Sequence, residues 1–190
     1  MAVNEDLNFK SLPGTKSAAP FAEKQNDSRP KIRRILGIDP GLASTGFGIV
    51  DGCMNKYRMV SYGVIETPAH TEHGQRLLTI YNRLLAVINE FRPDEASMET
   101  LYFSRNVSSA MGVAESRGVA TLCLAQNAIP LFEYKPNQIK LAVTGGAQAD
   151  KTLVEKYVKL ILNLKTEPKP DHAADALAGA VTHLHYSAGL

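Results

Sequence analysis

Arg33 to Asp39 reads RRILGID, and Pro40-Gly41 follows it, then Gly46 to Gly52, GFGIVDG. The first stretch is a short apolar run closed by an acid and a Pro-Gly turn, the pattern of a buried strand. The second ends in Asp51-Gly52, another turn signal, and Tyr57 to Glu66 (YRMVSYGVIE) supplies a third strand-like run. Three successive strands joined by short, turn-rich links predict an antiparallel meander.

Downstream of the meander the period changes. Leu77, Tyr81, Leu84, Ile88 and Phe91 recur at three and four residues, which predicts an amphipathic helix stopping before Pro93. Asp94 to Glu99 (DEASME) is short but sits where a strand should follow. Asn106 to Gln126 reads as a second helix, rich in Ala and carrying Gly112 and Gly118. Glycine weakens a helix, so this pair predicts close approach of another backbone. Ile129 to Tyr134 is a fifth strand, and Asp150 to Leu162 and Asp171 to Tyr186 are further helices separated by a Pro168/Pro170 linker. The class is mixed α/β, without an internal repeat.

Upstream, residues 1–30 have a different character. Glu5, Asp6, Glu23 and Asp27 balance Lys10, Lys16, Lys24 and Arg29, which argues against a transit peptide. Pro, Gly, Ser, Asn and Ala without an apolar period predict a disordered tail, so the domain is expected at residues 31–190. At 190 residues the chain is long enough for one real core. Its net charge is only +2, so any nucleic-acid surface has to be a local patch. Cys53 and Cys123 lack metal-ligand spacing and read as small buried hydrophobes in a reducing cytosol. No apolar run is long enough for a membrane span and no secretory core is visible, so a cytoplasmic protein is expected.

Acids occur where core elements should be apolar. Asp39 closes the first strand; taken alone it is equally a turn-initiating residue before Pro-Gly. Glu99 closes DEASME, and alone it reads as a solvated strand end. In DHAADALAGA, His172 and Asp175 share one helical face among alanines that let the helix press close to a sheet. Helix capping explains Asp171 well but Asp175 poorly, because Ala173, Ala174, Ala176 and Leu177 around it look buried. Carboxylates and an imidazole from three separate elements form a hard, oxygen-rich set suited to Mg²⁺ or Mn²⁺. Two such ions can activate water and stabilise the leaving 3′ oxygen in phosphodiester hydrolysis.

ILGIDPGLASTGFGIVD, Glu99-Thr-Leu-Tyr-Phe, Arg117-Gly-Val and HAADALAGAVTH, in this order, resemble the RuvC-type Holliday junction resolvases of bacteria. The resemblance runs from about Arg33 to about His185. It implies a ribonuclease H-like fold, a mixed five-stranded sheet flanked by helices. It also implies a crossover junction endodeoxyribonuclease that resolves four-way junctions in recombination and repair by paired, symmetric cuts. Carried over, Asp39, Glu99, His172 and Asp175 become both the metal ligands and the catalytic set, holding two Mg²⁺, with Mn²⁺ able to substitute. Aligning on AADAL places His172 rather than Asp171 at the variable ligand position, though Asp171 could share the metal or supply charge in its place. A histidine ligand must be neutral, so activity is expected to fall in mild acid.

The resemblance further puts Tyr102 in the place of an aromatic that stacks on an unpaired base at the crossover. From Lys135 to Lys169 there are seven lysines against three acids. Lys156, Lys159, Lys165 and Lys169 read as a solvated face. Lys140 and Lys151, flanking Thr144-Gly145-Gly146, match basic positions near the scissile phosphate. Symmetric cutting implies a homodimer, with the helix of Gly112 and Gly118 as the candidate contact, and the resemblance adds the RuvA–RuvB branch-migration complex as a partner. The rival within the fold is a ribonuclease H-like nuclease of YqgF type acting on another nucleic acid. Actin-like ATPases share the D-x-G-x-x-x-T pattern, but they need two lobes, for which this chain is too short.

Overall fold

The computed structural model describes residues 31–54, 56–100 and 107–187. The tail expected at residues 1–30 and the expected stacking residue Tyr102 lie outside the described residues. Strands β1 (Arg33–Asp39), β2 (Ser44–Cys53) and β3 (Lys56–Glu66) form the expected antiparallel meander, with one register shift at Ile49/Val50. Strand β4 (Glu95–Glu99) runs parallel to β1, and β5 (Leu131–Tyr134) runs parallel to β4. Parallel neighbours need crossover connections. Helices α1 (His73–Phe91) and α2 (Val107–Gln126) supply them. The five-stranded mixed sheet has the order β3-β2-β1-β4-β5, which is the architecture expected.

Strand alternation decides what each layer receives. Leu36 and Ile38 of β1 enter the core with Ile80, Leu84 and Ile88 of α1 and Leu124 of α2. Ile35 enters the opposite core with residues of α4 (Lys151–Ile161) and α5 (Asp171–Tyr186), such as Val158 and Leu177. Gly37 and Asp39 lie in phase with Ile35, so they point toward α5.

Contact between α5 and the sheet is backbone against backbone. A Cβ on Gly37 would lie 1.8 Å from the Ala176 carbonyl oxygen, and one on Gly46 would lie 1.9 Å from that of His172. The alanines of α5 were expected to allow this approach; the strand glycines opposite them are the other half of it. The pair expected to admit a backbone, Gly112 and Gly118, behaves differently. A Cβ on Gly112 would meet only the Leu42 side chain, at 3.2 Å, and one on Gly118 would meet nothing within 4 Å. A helix glycine can face open space, whereas a glycine in a covered central strand has a neighbouring layer to accommodate.

Helix α3 (Pro136–Thr144) is absent from the expected elements. Its signals are present: Pro136 in the first turn and Gly145 at the C-cap, in the left-handed region at φ 77°. Asp150 caps α4 through its side chain, accepting from the Leu153 N–H at 2.8 Å. Asp171 does not cap α5 as expected: Pro170 is the N-cap residue, and Asp171 lies in the first turn. Cys123 is buried and Cys53 only partly so. No helix among the described residues is long and apolar enough to cross a membrane.

Candidate active site

Parallel pairing of β1 with β4 brings their C-terminal ends together, in the register Ile38↔Met98. Asp39 and Glu99 each stand one residue beyond that pair, on the face covered by α5. The backbone approach at Gly46 then sets the first turn of α5 beside them. A cavity of about 200 Å³ results, lined by Asp39, Glu99, Asp175, Lys140 and Lys151 with apolar walls that include Ile139 and Val154. His172, in the first turn of α5, reaches Asp39, with Nδ1 2.6 Å from Asp39 Oδ2. Four expected ligand positions and two expected lysines thus come together from β1, β4, α3, α4 and α5.

The site carries more negative charge than burial tolerates. Asp39 is held above the ordinary carboxylate range, first by burial and then by the neighbouring Asp175; the His172 hydrogen bond works the other way. Glu99 is also raised, by burial first and then by Asp39 and Asp175, with Lys140 and Lys151 opposing. Lys151 donates to Asp175 Oδ2 at 3.0 Å. Burial works against its charge, but that bond and the nearby Asp171 raise its pKa on balance.

Three carboxylates and one imidazole suit a hard divalent cation, and the raised acids would be relieved by added positive charge. Among the described residues, no three His, Cys, Asp or Glu side chains already stand as a ligand cage. Lys151 on Asp175 and His172 on Asp39 occupy part of that coordinating capacity. Asp171 does not face Asp39. Its Oδ1 is 3.1 Å from Lys169 Nζ and its Oδ2 3.4 Å from Lys151 Nζ. Lys169, expected on a solvated face, also reaches buried Glu155 at 3.0 Å.

Arg117 takes a role that the sequence reading did not assign. Its Nη1 donates to the Glu99 carbonyl oxygen at 2.6 Å, and its Nη2 pairs with Glu133 of β5. Helix α2 is thereby tied to the end of β4. An arginine eighteen residues after Glu99, and followed by Gly118, gave no local hint of that tie.

Comparison with known proteins points the same way as this geometry. Residues 35–183 match the family model described as crossover junction endodeoxyribonuclease RuvC. A protein of that name from Treponema denticola is 52% identical over 163 residues, covering 85% of this chain and 92% of that protein. Another from Chloroflexus aurantiacus is 49% identical over 152 residues, covering 80% and 93%. Among solved structures, T. thermophilus RuvC in complex with Holliday junction substrate aligns with a TM-score of 0.77 and 34% identity, over 82% of this chain and 94% of that one.

Proposed function

This chain belongs to the family of RuvC crossover junction endodeoxyribonucleases, and from that premise we propose that it resolves four-way DNA junctions by metal-dependent phosphodiester hydrolysis. One observation carries the chemical part: Asp39, Glu99 and Asp175 converge on one cavity, and two of these acids have raised pKa values. A purely structural cluster would be neutralised by its own protein partners.

In this reading Asp39, Glu99, His172 and Asp175 hold the cations, two Mg²⁺ per site with Mn²⁺ able to substitute. Such ions supply activation of water and stabilisation of the leaving 3′ oxygen. The chain's own contribution is orientation and charge. His172 fixes the Asp39 carboxylate through its 2.6 Å contact, and Arg117 holds the backbone of Glu99. Lys140 and Lys151 line the cavity where a phosphate would enter, adding salt-dependent and sequence-independent affinity. Tyr102 stacks on an unpaired base at the crossover.

Two symmetric cuts call for a homodimer. The α2 face bearing Met111, Gly118 and Leu122 supports that assignment, since both large side chains are exposed in the single chain. A RuvA–RuvB motor as partner and a cytoplasmic location follow from the same proposal. The deciding assay is cleavage of a synthetic four-way junction with Mg²⁺ or Mn²⁺, expected to give nicked duplexes with ligatable ends. Equal cutting of linear duplex or RNA–DNA hybrid would sink the junction assignment.

A further inference from the structure

We infer that Asp171 is a positioning residue for Lys151, holding that ammonium at the rim of the cavity and limiting its competition for Asp175. An alternating chain of charges runs Asp175–Lys151–Asp171–Lys169–Glu155, with closest contacts of 3.0, 3.4, 3.1 and 3.0 Å. Its far end is fixed, because the Glu155 side chain is only 8% exposed. Asp171 and Asp175 are four residues apart on α5, so they lie on one face and a single ammonium can bridge them. Lys151 is the first residue of α4, where the Asp150 cap fixes the backbone from which its side chain reaches across.

The consequence concerns a cation arriving at Asp175. Whatever share of the Lys151 charge is spent on Asp175 has to be displaced. Asp171 takes up part of that charge, and Lys169 holds Asp171 in place to do so. Asp171 therefore acts on the cavity through Lys151 and not as a ligand. When Asp175 is taken by a cation, Lys151 keeps an anchor at the rim and stays available for a phosphate.

The inference rests on the metal-dependent reading above, and one experiment separates the two. Mn²⁺ binding to the full chain without DNA is measured from the loss of the free-ion electron paramagnetic resonance signal. The chains compared are the wild type, Lys151→Met, Asp171→Asn and the double variant. Asp171→Asn is expected to weaken Mn²⁺ binding about two- to fivefold, the range of a half-exposed ion pair, and Lys151→Met to tighten it by a similar factor. The double variant is expected to bind like Lys151→Met, because of the two lysines that Asp171 contacts, Lys151 is the one that lines the cavity. If Asp171→Asn costs as much in the Lys151→Met background as in the wild type, Asp171 is merely a nearby negative charge and the inference fails. Unchanged binding in both single variants overturns it as well, while wild-type binding keeps the metal reading intact. A wild-type chain that takes up no Mn²⁺ overturns both.

Discussion

At the N-terminal end of α5, His172 pairs with Asp39 beside an open cavity; about three helical turns further on, His183 pairs with Glu95 with only 1% of its side chain exposed. Both acids end up under α5 for the same reason. Asp39 is in phase with Gly37 on β1, and Glu95 is in phase with Ser97 and Glu99 on β4. The surroundings differ. Glu95 accepts from Arg33 and from His183 Nε2 at 2.7 Å; the Tyr134 hydroxyl donates to His183 Nδ1 at 2.7 Å, and the Phe132 ring stacks on the imidazole at 4.4 Å. Burial depresses the His183 pKa and raises that of Tyr134, which fits a neutral ring between a phenol donor and a carboxylate acceptor. Burial alone would raise Glu95, but its bonds from His183 and Arg33 outweigh that and lower it.

An acid–histidine pair under a helix is therefore not itself the mark of a reactive site. The partners around the pair decide. At the Glu95 end the acid's charge is met by protein groups and the assembly is structural. At the Asp39 end the acids repel one another, and the protein supplies too little positive charge to settle them.

The sharpest way to break this contrast is substitution of the two acids. Asp39→Asn is expected to abolish junction cutting while leaving junction binding in place. The loss should exceed the roughly 10–100-fold typical of removing an outer partner of a metal ligand. Loss of binding in a folded Asp39→Asn chain would make Asp39 structural. Glu95→Gln is expected to leave cutting per folded molecule unchanged but to cost about 1–3 kcal/mol in urea unfolding, because it weakens a buried charged hydrogen-bond network. Gly46→Ala links fold and site: its Cβ would meet the His172 carbonyl at 1.9 Å. It is expected to cost about 1–3 kcal/mol and to lower cutting as the first turn of α5 is displaced; wild-type activity would mean that this close approach does not position the site.

A subtler separation comes from pH without divalent ions. Asp39 and Glu99 have raised pKa values, so in the folded chain they hold protons that the unfolded chain has lost. Their contribution to stability falls as pH rises from the ordinary carboxylate range through the raised values. Asp39→Asn should therefore melt higher than the wild type in chelator at neutral pH. His183 and Glu95 are lowered, so their contributions have the opposite sign. His183 contributes fully above its ordinary value of 6.5 and loses its contribution as pH falls; Glu95 follows below 4.5. An Asp39→Asn chain that melts lower at neutral pH would show that Asp39 is satisfied after all. The smallest effect is expected for Lys140→Met, which should weaken junction binding uniformly across sequences and reduce the salt slope by about one.

Much of this was legible before the fold was known. RRILGID and GFGIVDG announced paired strands, and the alanines around Asp175 announced a helix pressed on a sheet. Helix α3 escaped because nine residues give a weak period; Pro136 and Gly145 mark its ends, and Gln138 accepts from the Lys135 N–H at its start. The His183 network escaped because its members, Arg33, Glu95, Tyr134 and His183, are spread over four elements with no local pattern joining them.

The sequence by itself determined four residues that could carry charge to one end of the sheet: Asp39 and Glu99 at strand ends, His172 and Asp175 one helical turn apart. Periodicity and turn chemistry are local, and local pattern is enough for that. Only the tertiary structure decided that Asp171 faces Lys151 and Lys169, that Arg117 holds the end of β4, and that two similar acid–histidine pairs have opposite characters. The physical reason is that a buried charge takes its state from whatever surrounds it in space. Those neighbours come from strands and helices far apart along the chain.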